Sequence, residues 1–286
     1  MQKGDHIGSG AFESVYQALN VDTGEVMAVK QVPIGGQEGA NKTQITALEL
    51  EIELLSQLSH KNIVKYIGTS KDEKFLNIFL EFEAGGSISE LLRRYGAFSE
   101  ELIKIYTKQI LEGLEYLHIH DVIHRDIKGA NVLVHSNGIC KLADFGGAKK
   151  ICAEQMNRTS LKGTPYWMAP EVIRQTGHGR QSDIWSLGCT VIEMFLGYPP
   201  FSHIKERAPL LIFIASDDKK VDLPELASEK LKDFLEHCLE RDPSKRWNVY
   251  KLLRHPFINP EDQHFSSNQI LHYSSNFLGS NLSINQ

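Results

Sequence analysis

Three polar side chains in the run HRDIKGAN, at residues 124–131, form a set that could move a phosphoryl group. Asp126 can orient a hydroxyl group and accept its proton, and Lys128 can stabilise negative charge on the group in transfer. Asn131 can bind a metal ion through its amide oxygen, and Asp144, which opens the run DFG, offers a second oxygen ligand of the kind that magnesium prefers. These residue types predict metal-assisted phosphoryl transfer at one site.

A glycine-rich run, GSGAFESV at residues 8–15, lies near the start of the chain. Gly8 and Gly10 lack a Cβ atom, so backbone amides beside them can approach phosphate oxygens closely. The run alone is a weak signal, because glycine-rich turns are common. No Gly-Lys-Ser/Thr follows it, and its flanks are typical of strands. Both features favour a hairpin folded over a nucleotide rather than a loop that opens a helix.

Lys30 lies in a β-rich run, and an ammonium group there can neutralise the α- and β-phosphate oxygens of a nucleotide. Such a lysine needs a carboxylate to hold it. The helical period at residues 45–58 offers Glu49, Glu51 and Glu53. Glu51 shares the face of nearby apolar residues at helical spacing, so we expect it to face inward and the other two to be solvated.

Strand and helix patterns divide the chain into two parts. Residues 26–32 and 75–82 are β-rich runs on either side of the helical segment, and the breakers Ala-Gly-Gly follow at residues 84–86. Beyond them the pattern is helical. A strand-rich part followed by a helix-rich part predicts an α+β protein with two lobes and a boundary near residues 83–86.

The second part contains three helical patterns. Ser99 is the predicted N-cap of the first helix. Its apolar stripe is formed by Leu102, Ile105, Tyr106, Ile110, Leu114 and Leu117. Residues 182–196 are apolar nearly all round and predict a buried central helix, whereas residues 231–239 predict an amphipathic one. Residues after about 260 are rich in Ser and Asn, which is typical of a loosely ordered tail.

Composition indicates a globular protein of a reducing compartment. The 286 residues are 41% hydrophobic and 23% charged, and the net charge of −5 gives no support to a general nucleic-acid or membrane surface. None of the four cysteines forms a C-x-x-C pair, which favours reduced thiols. The start of the chain lacks the apolar run of a signal peptide, and no apolar run is long enough to span a bilayer. We therefore expect a cytoplasmic protein, with the nucleus as the alternative.

The motifs GSGAFESV, AVK, HRDIKGAN, DFG and APE follow one another in the order found in eukaryotic protein kinases, which the chain resembles over residues 4–257. Lys128 and the run GTPYW at residues 163–167 resemble the serine/threonine class. The segments FLEFEAGGSISELL and GHGRQSDIWSLGCTVIEM resemble MAP kinase kinase kinases of the MEK-kinase type. The resemblance implies a bilobal kinase fold, with an N-lobe at 1–83, a C-lobe at 84–257 and a tail at 258–286.

The resemblance also implies the cofactors, ATP and Mg²⁺, and the residues that bind them. The metal ligands would be Asn131 and Asp144, and the catalytic residues Asp126, Lys128 and Asn131. Residues that line the nucleotide site, or hold those that do, would be Ile7, Gly8, Ser9, Gly10, Ala11, Phe12, Val15, Ala28, Lys30, Glu51, Glu81, Glu83 and Leu133.

Three structural roles follow from the same resemblance. Asp183 would hold the backbone of the catalytic loop, and Glu171 would form an ion pair with Arg246. Arg125 would dock a phosphate carried by the segment between the DFG and APE motifs.

That segment is the expected regulatory switch. Ser160 is the first choice for its phosphosite and Thr159 the second, whereas Thr164 would belong to the peptide site. The phosphate would come from an upstream kinase or from autophosphorylation, and the protein substrate would be a MAP kinase kinase.

Two residues depart from the family pattern. Glu13 stands where the third loop glycine is usual, so its carboxylate either weakens ATP binding or points harmlessly to solvent. Gly147 follows the DFG run where a larger residue is typical. The histidines at positions 118, 120 and 124 could suggest zinc, but no cysteine completes a tetrahedral site.

Alternative functions remain open at this stage. A pseudokinase scaffold is disfavoured because Lys30, Glu51, Asp126, Asn131 and Asp144 are all present. A small-molecule kinase is disfavoured by the run TPYWMAPE, which shapes the peptide site in protein kinases. A serine/threonine kinase acting outside the MAP kinase cascade is a further possibility. The chain could be a catalytic fragment of a longer protein or a short kinase regulated in trans.

Overall fold

The computed structural model describes residues 1–10, 13–34, 42–150, 165–177 and 179–260. Its strands are β1 (Gln2–Ser9), β2 (Ser14–Leu19), β3 (Val26–Pro33), β4 (Tyr66–Lys71), β5 (Phe75–Glu81), β6 (Val122–Ile123), β7 (Val132–Val134), β8 (Cys140–Leu142) and β9 (Lys149–Lys150). Its helices are α1 (Lys42–Ser56), α2 (Ile88–Tyr95), α3 (Glu100–Ile119), α4 (Pro170–Ile173), α5 (Arg180–Leu196), α6 (Arg207–Ala215), α7 (Glu229–Cys238) and α8 (Val249–Leu253). Short 3₁₀ turns occupy Gly129–Asn131, Phe145–Gly147 and Pro165–Trp167.

The first five strands form one antiparallel sheet in the order β1-β2-β3-β5-β4. Because side chains alternate along a strand, Met27 and Val29 of β3 enter a small core on one face, with Ala18 and Phe79. Lys30 lies on the opposite face from Val29. Its own side chain is nevertheless buried, which requires charged partners.

Helix α1 packs against β4 and against the turn at Phe145–Gly147, so it contacts both the sheet and the second part of the chain. Leu54 and Leu55, near its end, enter the large hydrophobic core. Glu51 of the same helix is buried, whereas Glu53 is exposed. The helix therefore presents a carboxylate inward, as its period predicts.

The helical part is built around α3 and α5, which pack on each other. Every residue from Ser182 to Met194 of α5 is buried, with Trp185 fully enclosed. The predicted buried central helix at 182–196 is therefore observed, with its last two residues half-buried.

The predicted apolar stripe of α3 is wrong at one position. Ile105 is 50% exposed, whereas Ile103 is fully buried. Spacings of three or four residues connect Ile103 to Tyr106 and then to Ile110, and a helix turned to bury these leaves Ile105 pointing outward. The cap is as expected, because the Ser99 hydroxyl accepts a hydrogen bond from a backbone amide one turn later.

The architecture is α+β, with a five-stranded sheet lobe followed by a helical lobe, and the predicted bilobal fold is confirmed. The connection between the lobes ends at Ser87, where a capping box with Glu90 starts α2. Most of the predicted tail, residues 261–286, lies outside the described residues. No helix among the described residues is long and apolar enough to cross a membrane.

Candidate active site

The catalytic loop begins directly after β6 and is held by one buried carboxylate. Asp183 accepts hydrogen bonds from the backbone amides of His124 at 3.0 Å and Arg125 at 2.8 Å. Arg125 has a φ of 71°, a left-handed conformation that costs a non-glycine residue free energy. The two amide contacts stabilise that backbone conformation, which sets the direction in which the next residue, Asp126, projects.

His118 is a second partner of Asp183 that sequence reasoning missed. Its Nε2 lies 2.9 Å from Asp183 Oδ2 inside the core. Burial alone would raise the pKa of Asp183, but hydrogen bonds from His118 and from the Arg125 amide outweigh it and hold that pKa below its usual range. Asp183 therefore keeps the negative charge that the loop amides require.

Asp126, Lys128 and Asn131 lie together. Lys128 Nζ is 2.7 Å from Asp126 Oδ2, and Asn131 Nδ2 donates to the same oxygen at 2.7 Å and to the Asp126 carbonyl at 2.9 Å. The amide nitrogen of Asn131 thus faces Asp126, which leaves its amide oxygen as the atom that can coordinate a metal ion. The 3₁₀ turn at Gly129–Asn131 creates this approach by folding the chain back on itself.

His124 connects this loop to the DFG motif. Its Nδ1 accepts from the Asp126 amide at 3.3 Å, and its Nε2 lies 3.2 Å from the Ala143 carbonyl. Complete burial lowers the pKa of His124, which keeps the ring neutral with Nε2 as its donor. Phe145 is 2% exposed and contacts the same ring, with centroids 4.9 Å apart.

Asp144 is placed by an unusual backbone conformation, with a φ of 62°. Its Oδ1 lies 3.4 Å from Lys30 Nζ. Desolvation would raise the pKa of Asp144, but the positive charge of Lys30 and the hydrogen bonds from Lys30 and the Gly146 amide together outweigh it and lower that pKa. The side chain therefore offers an ionised oxygen ligand across the cleft from the sheet.

Lys30 and Glu51 form a buried ion pair, with Nζ and Oε1 3.0 Å apart. Burial would lower the pKa of Lys30, but the charges of Glu51, Asp144 and Glu13 together raise it above its ordinary value. The ammonium group stays charged, and it connects β3 to α1 and to the DFG motif.

Glu13 is the third carboxylate on this ammonium group, with its Oε2 3.0 Å from Lys30 Nζ. The interpretation that its side chain points harmlessly to solvent is therefore wrong, because a salt bridge holds it inside the loop. The loop hairpin was predicted from flanking strands, but the conformation of a turn residue has no periodicity that could show its direction.

The remaining predicted nucleotide residues lie on the sheet of the first lobe and on β7 of the second. Val15 lies opposite Lys30 in the β2–β3 ladder, and Ala28 lies opposite Leu80 in the β3–β5 ladder. Leu133 of β7 forms a bridge to Ser87 at the end of the connection. The side chains of the apolar residues at 15, 28 and 133 are half-buried, as expected for the walls of a cleft.

Three further predicted residues, Ile7, Gly8 and Ser9, lie at the end of the first strand, and Gly10 follows it directly. Gly8 lies opposite Val15 in the β1–β2 ladder, and the Gly10 amide donates to the Glu13 carbonyl at 2.9 Å. Ala11 and Phe12, which were also predicted, lie outside the described residues.

Glu81 and Glu83, at the connection between the lobes, share a cation that sequence reasoning missed. Lys141 Nζ lies 2.5 Å from a Glu81 oxygen and 3.5 Å from a Glu83 oxygen, and His135 Nδ1 lies 2.9 Å from the other oxygen of Glu83. Burial raises the pKa of Glu83. These contacts tie the connection to β8 and to the residue after β7, which holds in place two of the residues predicted for the nucleotide site.

Glu193 is another buried residue that no motif indicated. Its carboxylate accepts from Ser89 Oγ at 2.7 Å, the Gly129 amide at 3.0 Å and Trp167 Nε1 at 3.0 Å. It thus joins α2, the catalytic loop and the turn at Pro165–Trp167. Burial raises the pKa of Glu193.

Glu171 and Arg246 form a bidentate buried pair, with oxygen–nitrogen distances of 2.6 and 3.1 Å. The predicted regulatory residues Ser160 and Thr159, and the predicted peptide-site residue Thr164, lie outside the described residues. Their roles stay predictions.

The donor set fits a divalent metal ion with a nucleotide. Asp144 presents an ionised carboxylate, and Asn131 presents an amide oxygen, both of which are oxygen ligands suited to a hard cation. Lys30 supplies a positive charge beside Asp144, where it would neutralise phosphate oxygens.

A two-lobed α+β fold with a charged lysine, an ionised DFG aspartate and a hydrogen-bonded Asp-Lys-Asn set defines a nucleotide-dependent phosphotransferase. The protein kinase domain model matches residues 1–258, and the chain belongs to that family. The family uses ATP and a divalent metal ion.

The curated relatives are similar over nearly the whole chain. It is 52% identical to mitogen-activated protein kinase kinase kinase A of Dictyostelium discoideum over 259 residues, which are 90% of this chain and 28% of the relative. It is 50% identical to mitogen-activated protein kinase kinase kinase ANP1 of Arabidopsis thaliana, over 90% of this chain and 39% of the relative. It is 48% identical to cytokinesis protein sepH of Emericella nidulans, over 90% of this chain and 19% of the relative.

These matches confirm the predicted resemblance to serine/threonine kinases of the MAP kinase kinase kinase type. The chain spans well under half the length of the relatives it matches. The similarity therefore concerns their kinase domains.

Proposed function

We propose that the chain is a serine/threonine protein kinase that uses ATP with Mg²⁺ and phosphorylates MAP kinase kinases. The proposed activity is supported by two simultaneous contacts, Lys30 to Glu51 at 3.0 Å and Lys30 to Asp144 at 3.4 Å. Phosphoryl transfer in protein kinases requires both the lysine–glutamate pair and the DFG aspartate in place. The pseudokinase scaffold is disfavoured because the chain has every one of these groups.

In this proposal, the carboxylate of Asp126 contacts the substrate hydroxyl. Its carboxylate orients the hydroxyl toward the γ-phosphorus and accepts its proton as the new oxygen–phosphorus bond forms. Lys128, 2.7 Å from Asp126, stabilises the negative charge on the transferred group. When bound, ATP with its metal supplies the phosphoryl group and the neutralising charge on the leaving diphosphate. Asp144 and Asn131 would hold the metal ion, and Mg²⁺ suits their oxygen donors.

Serine and threonine are the proposed acceptors. Their short side chains require a peptide held close to Asp126, and Lys128 and Thr164 match the serine/threonine class at this site. The choice of MAP kinase kinases rests on the names of the relatives at 50–52% identity. The relative named for cytokinesis, at 48%, shows that a similar domain also occurs in a protein named for another process.

Arg125 supports a phosphate-controlled switch at Ser160 or Thr159. Its Nε is buried and has no hydrogen-bond partner among the described residues. A phosphate carries about −1.5 to −2 charge and three acceptor oxygens, so it would satisfy this guanidinium and fix the neighbouring Asp126. An upstream kinase or autophosphorylation would add it.

We further propose that the protein acts in the cytosol or the nucleus. Cys140, Cys189 and Cys238 are buried free thiols, which suits a reducing compartment. Burial raises the pKa of Cys140 to about 12, so this thiol is unreactive.

The substrate proposal is tested with a panel of catalytically inactive MAP kinase kinases, a generic basic protein and unrelated inactive kinases as acceptors. Turnover is measured with ATP and Mg²⁺, and phosphosites are mapped by mass spectrometry. We expect the highest kcat/KM on the MAP kinase kinases, at serine or threonine in their activation loops. Equal or lower efficiency on these acceptors than on the unrelated kinases would remove the MAP kinase cascade from the proposal.

A further inference from the structure

The glycine loop of this chain carries an acidic side chain that contacts the nucleotide lysine. Glu13 Oε2 is 3.0 Å from Lys30 Nζ, and the Glu13 side chain is only 26% exposed. The turn that holds Glu13 is closed by a hydrogen bond from the Gly10 amide to its carbonyl at 2.9 Å. The contact is therefore made by a constrained residue and not by a freely solvated one.

Gly10 is what allows this side chain to fold inward. A Cβ atom at Gly10 would lie 2.6 Å from Glu13 Cγ, which is closer than real Cβ atoms come, and 3.0 Å from Glu13 Oε1, which is a tight contact. The glutamate therefore fills the space beside the glycine that a phosphate-binding loop leaves open for a ligand.

Lys30 is surrounded by more negative charge than it can neutralise. Glu13, Glu51 and Asp144 lie 3.0, 3.0 and 3.4 Å from its single ammonium group. Glu51 and Asp144 come from the helix and the DFG motif, where the proposed mechanism needs them. The proposed phosphoryl-transfer mechanism does not need Glu13 beside Lys30.

We propose that Glu13 is an internal competitor of nucleotide phosphate, which occupies Lys30 when the site is empty and lowers the affinity for ATP. This inference rests on the proposed function, because it takes Lys30 as the ligand of the phosphates. A phosphate group that reaches Lys30 must displace the Glu13 carboxylate, since both are anions that seek the same ammonium donors. After displacement, the carboxylate stays near the phosphates on a short turn and repels them. Glu13 therefore sets the nucleotide concentration at which this kinase becomes saturated.

The test measures nucleotide binding directly, by calorimetry of Mg²⁺–ADP and of adenosine on the full chain. The variant is Glu13→Gln, which keeps the shape of the side chain and removes its charge. The matched control is Glu25→Gln, which removes one exposed charge from the same lobe, away from Lys30. Circular dichroism and thermal unfolding establish that each variant is folded.

We expect Glu13→Gln to bind Mg²⁺–ADP about tenfold more tightly than wild type, which corresponds to about 1.4 kcal/mol. Adenosine has no phosphate, so its dissociation constant should stay within twofold of the wild-type value, as should that of Mg²⁺–ADP for Glu25→Gln. In a Lys30→Met background, the tenfold gain from Glu13→Gln should disappear, because the competition acts through Lys30.

An unchanged or weaker affinity of Glu13→Gln for Mg²⁺–ADP would overturn the proposal, as would an equal gain for adenosine. Binding by the variant but not by wild type would support it strongly. If neither protein binds Mg²⁺–ADP, the proposed kinase function fails and this inference fails with it. A wild type that binds and transfers phosphate while the variant shows no gain refutes the role of Glu13 alone.

Discussion

The pair of Glu171 and Arg246 provides a quantitative test of what stabilises the helical lobe. Arg246 has a fully buried side chain, which contacts both oxygens of Glu171 and donates to the carbonyls of Glu240 and Gln181 at 2.7 Å each. Its guanidinium also lies 5.2 Å from the ring of Trp185. Arg246→Ala would therefore leave a buried carboxylate without its partner and would remove a donor from two partly buried carbonyls.

Breaking a buried ion pair by removing one partner costs about 3–5 kcal/mol, because the remaining charge is uncompensated. For a chain of this size each kcal/mol shifts the melting temperature by about 2–4 °C, so Arg246→Ala should lower it by roughly 6–20 °C. Thermal and urea unfolding followed by fluorescence measure the change. Arg180→Ala is the matched control, because Arg180 and its partner Asp121 are 44% and 64% exposed. An exposed pair contributes at most about 1 kcal/mol.

The double variant Arg246→Met with Glu171→Leu tests whether the unpaired carboxylate causes the loss of stability. Replacing both charges with apolar groups of similar size removes the unpaired carboxylate, so we expect it to be more stable than Arg246→Ala. The reasoning is refuted if Arg246→Ala melts within 2 °C of Arg180→Ala, or if the double variant is less stable than the single one.

Three further predictions address the site, the switch and the core. Asp144→Asn should lower kcat/KM for phosphoryl transfer at least about hundredfold, because an amide replaces the ionised metal ligand, and near-wild-type turnover with Mg²⁺ would show the assignment to be wrong. The double variant of Ser160→Ala and Thr159→Ala should have the low activity of phosphatase-treated wild type, whereas activity equal to untreated wild type would exclude the switch. Ile103→Ala should cost about 2–5 kcal/mol in urea unfolding. Ile105→Ala should change stability by less than about 0.5 kcal/mol, and equal costs would contradict the observed orientation of α3.

The spacing of apolar residues predicted the helices and strands of this protein well where one face of the helix or strand is apolar. The inward position of Glu51 follows from its helical spacing to Leu48 and Leu55, and the structure buries that residue beside Lys30. The stripe of α3 was misplaced at Ile105 because several apolar residues in succession fit more than one helical face. The packing of α3 against α5, α8 and β8 decides between those faces.

Contacts between distant parts of the chain were harder to predict. His118 and Asp183 are 65 residues apart, and Glu193 and Ser89 are 104 residues apart. No spacing rule connects such residues, because their contact depends on how whole helices pack. Lys141 was missed for the same reason, since it reaches Glu81 across 60 residues.

The direction of Glu13 could not be predicted because turn residues have no period. Its identity was visible as a departure from the family pattern, and two opposite consequences remained open. The 3.0 Å contact with Lys30 excludes the solvent-facing one. The departure from the motif identified Glu13 as unusual, but its contact with Lys30 follows only from the structure.

Transfer of labelled γ-phosphate from ATP to a generic basic protein is the most direct test of the central claim. Wild type and Asp126→Asn are compared with Mg²⁺ and with EDTA, and the labelled residues are identified by phosphoamino-acid analysis. We predict Mg²⁺-dependent label on serine and threonine for wild type, and a rate lower by about 10²–10⁴-fold for Asp126→Asn. Wild-type rates in the Asp126→Asn variant, or phosphotyrosine as the main product, would contradict the account.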